Sequence, residues 1–222
     1  MKRLPFTLTL LLASLGLCAL KAQTPPMQRG ISVQLASTDH ASPLAEADQP
    51  SAWVVTVTAD GGVYFGTKSV TPEGLYYAMK ARARKFPKEL FVKVDERAPY
   101  GTVEHAIENV HRYFSSVMLL TGQPGASASD RSLMPQGFEV LIDSPGGSGP
   151  SINLDANQVV RVNSEQVPTN LLAQTLRNLT QDNKDTIIPI EANEKLPFGD
   201  VAHAIDICTG LGTRVDLKLP SQ

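Results

Sequence analysis

Between residues 30 and 120 the spacing of apolar positions switches repeatedly between the two-residue period of strands and the longer period of helices. Ile31 to Leu35 and Trp53 to Thr58 are short β-branched runs, separated by a polar loop holding His40, Pro43 and Pro50. Asp60-Gly61-Gly62 then turns the chain into Val63-Tyr64-Phe65, a hairpin signal. Thr71 before Pro72 predicts a helix start, because the hydroxyl can cap orphan N–H groups and proline is tolerated in the first turn. That helix gathers Leu75, Ala78, Met79 and Phe86 on one side, with Lys80, Arg82, Arg84 and Lys85 mostly elsewhere. A strand at Leu90 to Val94 leads through an acidic turn to Pro99-Tyr100-Gly101. A second helix follows with its stripe at Val103, Ala106, Ile107, Val110 and Phe114, and a last strand runs from Val117 to Leu120.

The series then begins again. Pro99 to Ile107 aligns with Pro197 to Ile205 at an offset of 98, and seven of the nine positions are identical or exchange one aromatic for another. Val63 and Val70 match Val160 and Val167 at an offset of 97. The second series has strands at Phe138 to Ile142, Ile152 to Leu154, Val159 to Val162, Ile187 to Ile190 and Val215 to Leu219. Its helices carry Leu172, Thr175, Leu176 and Leu179 in one and Val201, Ala204, Ile205, Cys208 and Leu211 in the other. The expected fold is α+β in two layers: two tandem domains, each β-β-β-α-β-α-β with right-handed crossovers and helices on one face of a sheet. Their boundaries are 23–121 and 137–222, and residues 122–136, rich in glycine, alanine, serine and proline, form a linker.

The segment ahead of these units has a different character. Lys2 and Arg3 precede an uncharged apolar stretch from Leu4 to Leu20, and Ala22 stands before a polar, proline-containing run, the layout of a secretory signal peptide over residues 1–22. The stretch is 17 residues long, at the lower limit for a ~30 Å hydrocarbon core, so inner-membrane anchorage through residues 4–20 is the alternative. A lipidated Cys18 is a third option, although Leu17 is larger than the Gly, Ala or Ser usual before a lipidated cysteine. Cleavage after Ala22 leaves 17 basic and 22 acidic residues, a net −5, with no long basic run, which argues against a dedicated nucleic-acid binder. It also leaves Cys208 without an intramolecular disulfide partner, in the helical position that Val110 fills in the first series, where a small core hydrophobe is expected.

Catalysis has no positive support in the residues. His40, His105, His111 and His203 do not make metal-ligand spacings, and no metal or cofactor is implied. The Pro145 to Pro150 loop lacks both the lysine of a phosphate loop and a Gly-x-Ser-x-Gly elbow. The expectation is a protein that is not an enzyme. The candidate partner-binding residues are Tyr100, Gly101, Phe198 and Gly199 at the two repeated turns, with His105 and His203, which lie about 150° from the centres of their apolar stripes and should face solvent.

The ordered series resembles the periplasmic domain of the ExbD/TolR family, twice over. The residues that carry the resemblance are Asp60-Gly61, Asp95, Pro99-Tyr100-Gly101-Thr102-Val103 and Leu119-Leu120-Thr121 in the first unit. In the second they are Asn157, Pro197-Phe198-Gly199-Asp200-Val201, Ile205-Asp206 and Gly212-Thr213-Arg214-Val215. The first unit has no glycine where Gly212 stands. The resemblance implies domains that dimerise and contact ExbB/TolQ-, ExbD- or TonB-like envelope proteins or peptidoglycan. It also implies a transmembrane aspartate that takes part in proton transfer, yet Leu4 to Leu20 has no acidic residue. The function expected is therefore a periplasmic accessory or scaffold in which the tandem stands in for a homodimer. The alternative is a small-ligand or cell-wall-fragment binding module using the cleft between the two units.

Overall fold

The structure, a computed structural model, describes residues 30–82, 85–125, 134–147, 149–181 and 185–220. The apolar amino-terminal stretch with Cys18, and the middle of the expected linker, lie outside the described residues.

Twelve strands and four helices run in the order β1 (Ser42–Pro43), β2 (Val54–Val57), β3 (Val63–Phe65), β4 (Lys68–Val70), α1 (Leu75–Arg82), β5 (Phe91–Val94), α2 (Tyr100–His111), β6 (Ser116–Thr121), β7 (Gln136–Ile142), β8 (Ile152–Leu154), β9 (Val160–Val162), β10 (Glu165–Val167), α3 (Leu172–Thr180), β11 (Ile187–Ala192), α4 (Phe198–Gly210) and β12 (Arg214–Leu217). All the strands belong to one mixed sheet. Eleven of them follow the path β10-β9-β8-β11-β12-β7-β6-β5-β2-β3-β4, and β1 pairs with β7 off that path. In the first half β5 lies parallel to both β2 and β6, which requires α1 and α2 as crossovers. In the second half β11 lies parallel to β8 and β12, with α3 and α4 as the crossovers.

Two expectations about strands change. Ile31 to Leu35 does not form a strand, because both edges of β5 are already taken by β2 and β6. Only Leu35 bridges Asp95, one residue past the end of β5. The third strand of each half is instead β4 or β10, a polar edge strand of three residues whose sequence carries no alternating apolar signal. Two-residue turns connect each to its neighbour. Gly66 has φ +64° in one, while Asn163 and Ser164 have φ +50° and +73° in the other, the double positive φ of a type I′ hairpin.

The halves also differ at the seam. β7 lies between β6 and β12, antiparallel to the first over six residue pairs and parallel to the second. The residue before the expected linker and the last residue of it are thus tied into neighbouring strands, Thr121 opposite Gln136.

One apolar cluster runs through both halves. It joins the helix-facing residues Val55, Val57, Val92, Val94, Val117 and Leu119 to Phe138, Val140, Ile142, Ile188, Ile190, Val215 and Leu217. The same cluster takes in the apolar stripes of all four helices. Leu75 and Met79 of α1, and Leu172 and Leu176 of α3, are buried as their spacing predicts; Thr71 caps α1 by accepting the Gly74 N–H at 3.0 Å. Leu179 departs from its stripe and is 48 % exposed, since it lies in the last turn of α3. Cys208 and Val110 are both buried, and burial pushes the Cys208 thiol pKa up to about 12, so the thiol stays protonated at neutral pH.

The opposite face of the sheet carries a smaller cluster, in which Ala47 and Ala52 cover Val54, Phe91 and Leu120. Each half also buries one charge on its strands. Burial depresses the Lys93 pKa, an effect that the negative charge of Asp48 partly offsets. Asp216 accepts from the Ser144 N–H at 2.9 Å and pairs with the Lys218 ammonium at 2.9 Å, and that ion pair raises the Lys218 pKa.

The shared core predicts a single cooperative denaturant transition. Leu119→Ala should lower unfolding free energy by about 2–5 kcal/mol, and Leu179→Ala should change it by less than about 0.5 kcal/mol. Chemical denaturation followed by Trp53 fluorescence, which reports on the first half, and by far-UV circular dichroism, which reports on both, measures these effects, and non-coincident transitions would show that the halves fold independently.

Candidate functional site

The strongest local feature of the molecule is the place where the two Pro-aromatic-Gly turns meet. Pro99 and Pro197 form an antiparallel bridge with each other. The Tyr100 N–H donates to the Leu196 carbonyl at 2.8 Å and the Phe198 N–H to the Ala98 carbonyl at 2.8 Å. The Gly101 N–H reaches the Glu194 carbonyl at 2.9 Å and the Gly199 N–H the Glu96 carbonyl at 2.8 Å. Every bond has its mirror 98 residues along the chain, so the arrangement has local two-fold symmetry.

Helix geometry explains why these bonds form. The first four N–H groups of a helix have no partner inside it, and neither α2 nor α4 has a side-chain N-cap: both cap positions are proline. Each helix therefore draws acceptors for its first two N–H groups from the turn of the other half. Those turns are built alike. Asp95 accepts from the Arg97 N–H at 3.1 Å, and Asn193 accepts from the Lys195 N–H at 3.0 Å. The Arg97 guanidinium also binds Asp95, at 2.8 Å, and holds its carboxyl below the usual carboxylate range.

The glycines are required by proximity. A Cβ on Gly101 would stand 2.8 Å from the Glu194 Cβ, and one on Gly199 would stand 3.2 Å from the Glu96 carbonyl oxygen. Tyr100 and Phe198 are fully buried behind them. Of the six candidate partner-binding residues, the structure therefore turns four inward: Tyr100, Gly101, Phe198 and Gly199 meet the opposite half, and the two aromatic rings have no surface to offer an outside molecule. The Tyr100 hydroxyl is buried without a hydrogen-bond partner among the described residues, and burial raises its pKa. Phe198 fills the equivalent place with no hydroxyl.

His105 and His203 are exposed, as their helical angle predicts, and line separate clefts. His105 faces an open cleft of about 630 Å³ with Glu73, Glu108 and His111. His203 borders a smaller pocket of about 180 Å³ with Leu172 and Asp200. A further cleft of about 430 Å³ lies where the halves meet, lined by Glu104 of α2 and by Asn153, Asp155, Glu191, Glu194 and Lys218 of the second half. Among the described residues, no three His, Cys, Asp or Glu side chains are grouped to hold a metal ion.

A second contact between the halves was not evident from the sequence. The segment before β1 crosses onto α4, where the buried Asp206 carboxylate accepts from the Asp39 N–H at 3.2 Å and the His40 N–H at 2.9 Å. The His40 Nδ1 lies 3.3 Å from the same carboxylate. The His40 ring occupies the space beside Gly210. The available signal was Asp206 itself, an acid flanked by Ile205 and Ile207 in an otherwise apolar stretch of α4.

Two substitutions test the mutual capping. Alanine ordinarily stabilises a helix relative to glycine by up to about 1 kcal/mol; Gly101→Ala should instead destabilise by about 1–3 kcal/mol, because the Glu194 turn must move. Tyr100→Phe should be neutral or stabilising by up to about 1 kcal/mol, since it removes a buried hydroxyl that has no partner. Thermal melts of both variants measure these effects, and a stabilised Gly101→Ala would contradict the close approach.

Residues 8–123 match the family described as Biopolymer transport protein ExbD/TolR, a span that begins within the apolar amino-terminal stretch and ends just past β6. No curated protein matches the chain. That family is envelope-associated and generally works with ExbB/TolQ- and TonB/TolA-type partners. Among the described residues no helix is long and apolar enough to cross a membrane. With more than half of its length covered by that match, including the Asp60-Gly61 turn, Asp95 and the Pro99-Tyr100-Gly101 turn, the chain belongs to the ExbD/TolR family.

Proposed function

We propose that this protein is a periplasmic accessory or scaffold of a TonB-ExbB-ExbD or Tol-type system, in which two ExbD/TolR-like units on one chain stand in for a homodimer. The observation that carries the reading is the reciprocal capping across Pro99 and Pro197, an isologous contact of the kind that normally joins two identical subunits. The recurrence of the β-β-β-α-β-α-β order in residues 54–121 and 152–217 supports it.

Its mode of action is binding, to envelope proteins of the motor or to peptidoglycan, and not proton conduction. The proton relay implied for this family uses a membrane aspartate, and Leu4 to Leu20 offers no carboxylate. Residues 1–22 serve as the export signal. With Tyr100 and Phe198 committed to the interior, the exposed His105 and His203 mark the helix faces open to a partner.

Crosslinking in cells at native expression, followed by purification, tests the proposal. The expected result is recovery of an ExbB/TolQ-, ExbD- or TonB-type protein, or of peptidoglycan. Glutamate substitutions at His105 or His203 should reduce that recovery. Recovery of none of these partners would overturn the proposal.

A further inference from the structure

One patch on the first half is absent from the second. On the outer side of α1 and the end of α2, Tyr113 lies between Tyr76 and Phe86, with ring centroids 4.9 and 4.8 Å apart and both pairs within 4° of parallel. Tyr77 beside them is 70 % exposed and Tyr113 is 40 % exposed. The Lys80 ammonium lies 5.6 Å from the Tyr76 ring centre, while the Arg82 guanidinium packs over Trp53 and Phe65. The sequence from Gly74 to Lys88 holds five basic residues and no acidic one, with Glu73 and Glu89 at its borders; Arg112 adds a further cation beside Tyr113.

The fold does not require any of this. The second half places Ala173, Gln174 and Leu211 where the first has Tyr76, Tyr77 and Tyr113, and Leu179 where it has Arg82. Its charge also differs: residues 137–222 carry six basic and eleven acidic side chains, while residues 23–121 carry ten of each. Aromatic rings on a solvent-facing helix, in one half of a chain whose other half folds without them, indicate a surface kept for an occupant.

We infer that this patch docks on the surface of an anionic lipid bilayer. The stacked rings cover one another's faces, so they provide no slot for an inserted side chain, which a bound peptide would need for specificity. Tyr77 and Tyr113 leave their amphipathic rings exposed, suited to the headgroup level of a membrane, beside the exposed cations Lys80 and Arg112, which match anionic headgroups. Location fits as well. Nine residues separate Leu20 from Gly30, a reach of at most about 36 Å, so while the apolar stretch is still attached, a bilayer that takes it up lies close to this half.

The test is co-sedimentation of the full-length chain with vesicles of phosphatidylcholine alone and of equal parts phosphatidylcholine and phosphatidylglycerol. The apolar stretch enters either membrane, so the ratio of the two partition coefficients isolates the headgroup-dependent contribution. That ratio should exceed one and fall with added salt. The double variant Tyr77→Ala, Lys80→Glu should lower it about tenfold, while Arg177→Glu, the equivalent charge change on α3, should leave it unchanged. Both altered residues of the double variant are exposed, and a thermal melt checks that the fold is retained. A wild-type ratio near one, or an equal fall in Arg177→Glu, would overturn the inference. Saturable binding of polyglutamate at the patch with no preference for anionic vesicles would assign it to an acidic polypeptide instead.

Discussion

The orphan N–H groups of two helices govern the arrangement of this molecule. α2 and α4 both begin after a proline, which fixes the backbone for helix entry but supplies no side-chain acceptor. Four backbone carbonyls from the facing turns satisfy those groups instead. A typical net value of about 0.5–1.5 kcal/mol per hydrogen bond makes the set modest in free energy. Its larger effect is geometric: neither helix start can be fully bonded unless the other is in place. The orientation of the sheet halves and the joining of their cores into one cluster accord with that requirement. β7 then closes the sheet between the two parallel sets, and the Asp206 clasp on residues 39 and 40 adds a second crossing.

The elements legible in the sequence are those whose burial is one-sided and local. The stripes of α2 and α4, the strands from β5 to β6 and from β11 to β12, and the Thr71 cap are written in residue spacing. What spacing leaves out depends on the partner. β4 and β10 are too short and polar to show a period, and Ile31 to Leu35 has strand composition but finds no free edge. The site was visible as a repeated Pro-aromatic-Gly but not as to its direction. An aromatic beside a glycine reads equally well as a surface anchor or as packing, and only the approach of Glu194 and Glu96 shows that the glycines make room for the other half. Asp206 was readable only as an anomaly in an apolar helix.

Divergence between the halves follows the same logic. Positions that meet across the local two-fold keep their chemistry: proline with proline, aromatic with aromatic, glycine with glycine, and a side-chain acceptor at Asp95 and Asn193. Many positions that face solvent drift, His105 and His203 excepted. The buried charges also differ, with Lys93 on one half and Asp216 on the other, because each is satisfied by residues local to its own half.

Covalent fusion of a two-fold contact alters valency. An assembly of two separate identical chains displays each of its surfaces twice and is diluted apart when its concentration falls. Here the facing turns share a chain, so their encounter is unimolecular and independent of concentration, and the aromatic stack is displayed once. On the role proposed above, one copy built this way would meet a flat or extended counterpart from a single side and with a defined polarity, whereas a symmetric pair would bridge two such counterparts.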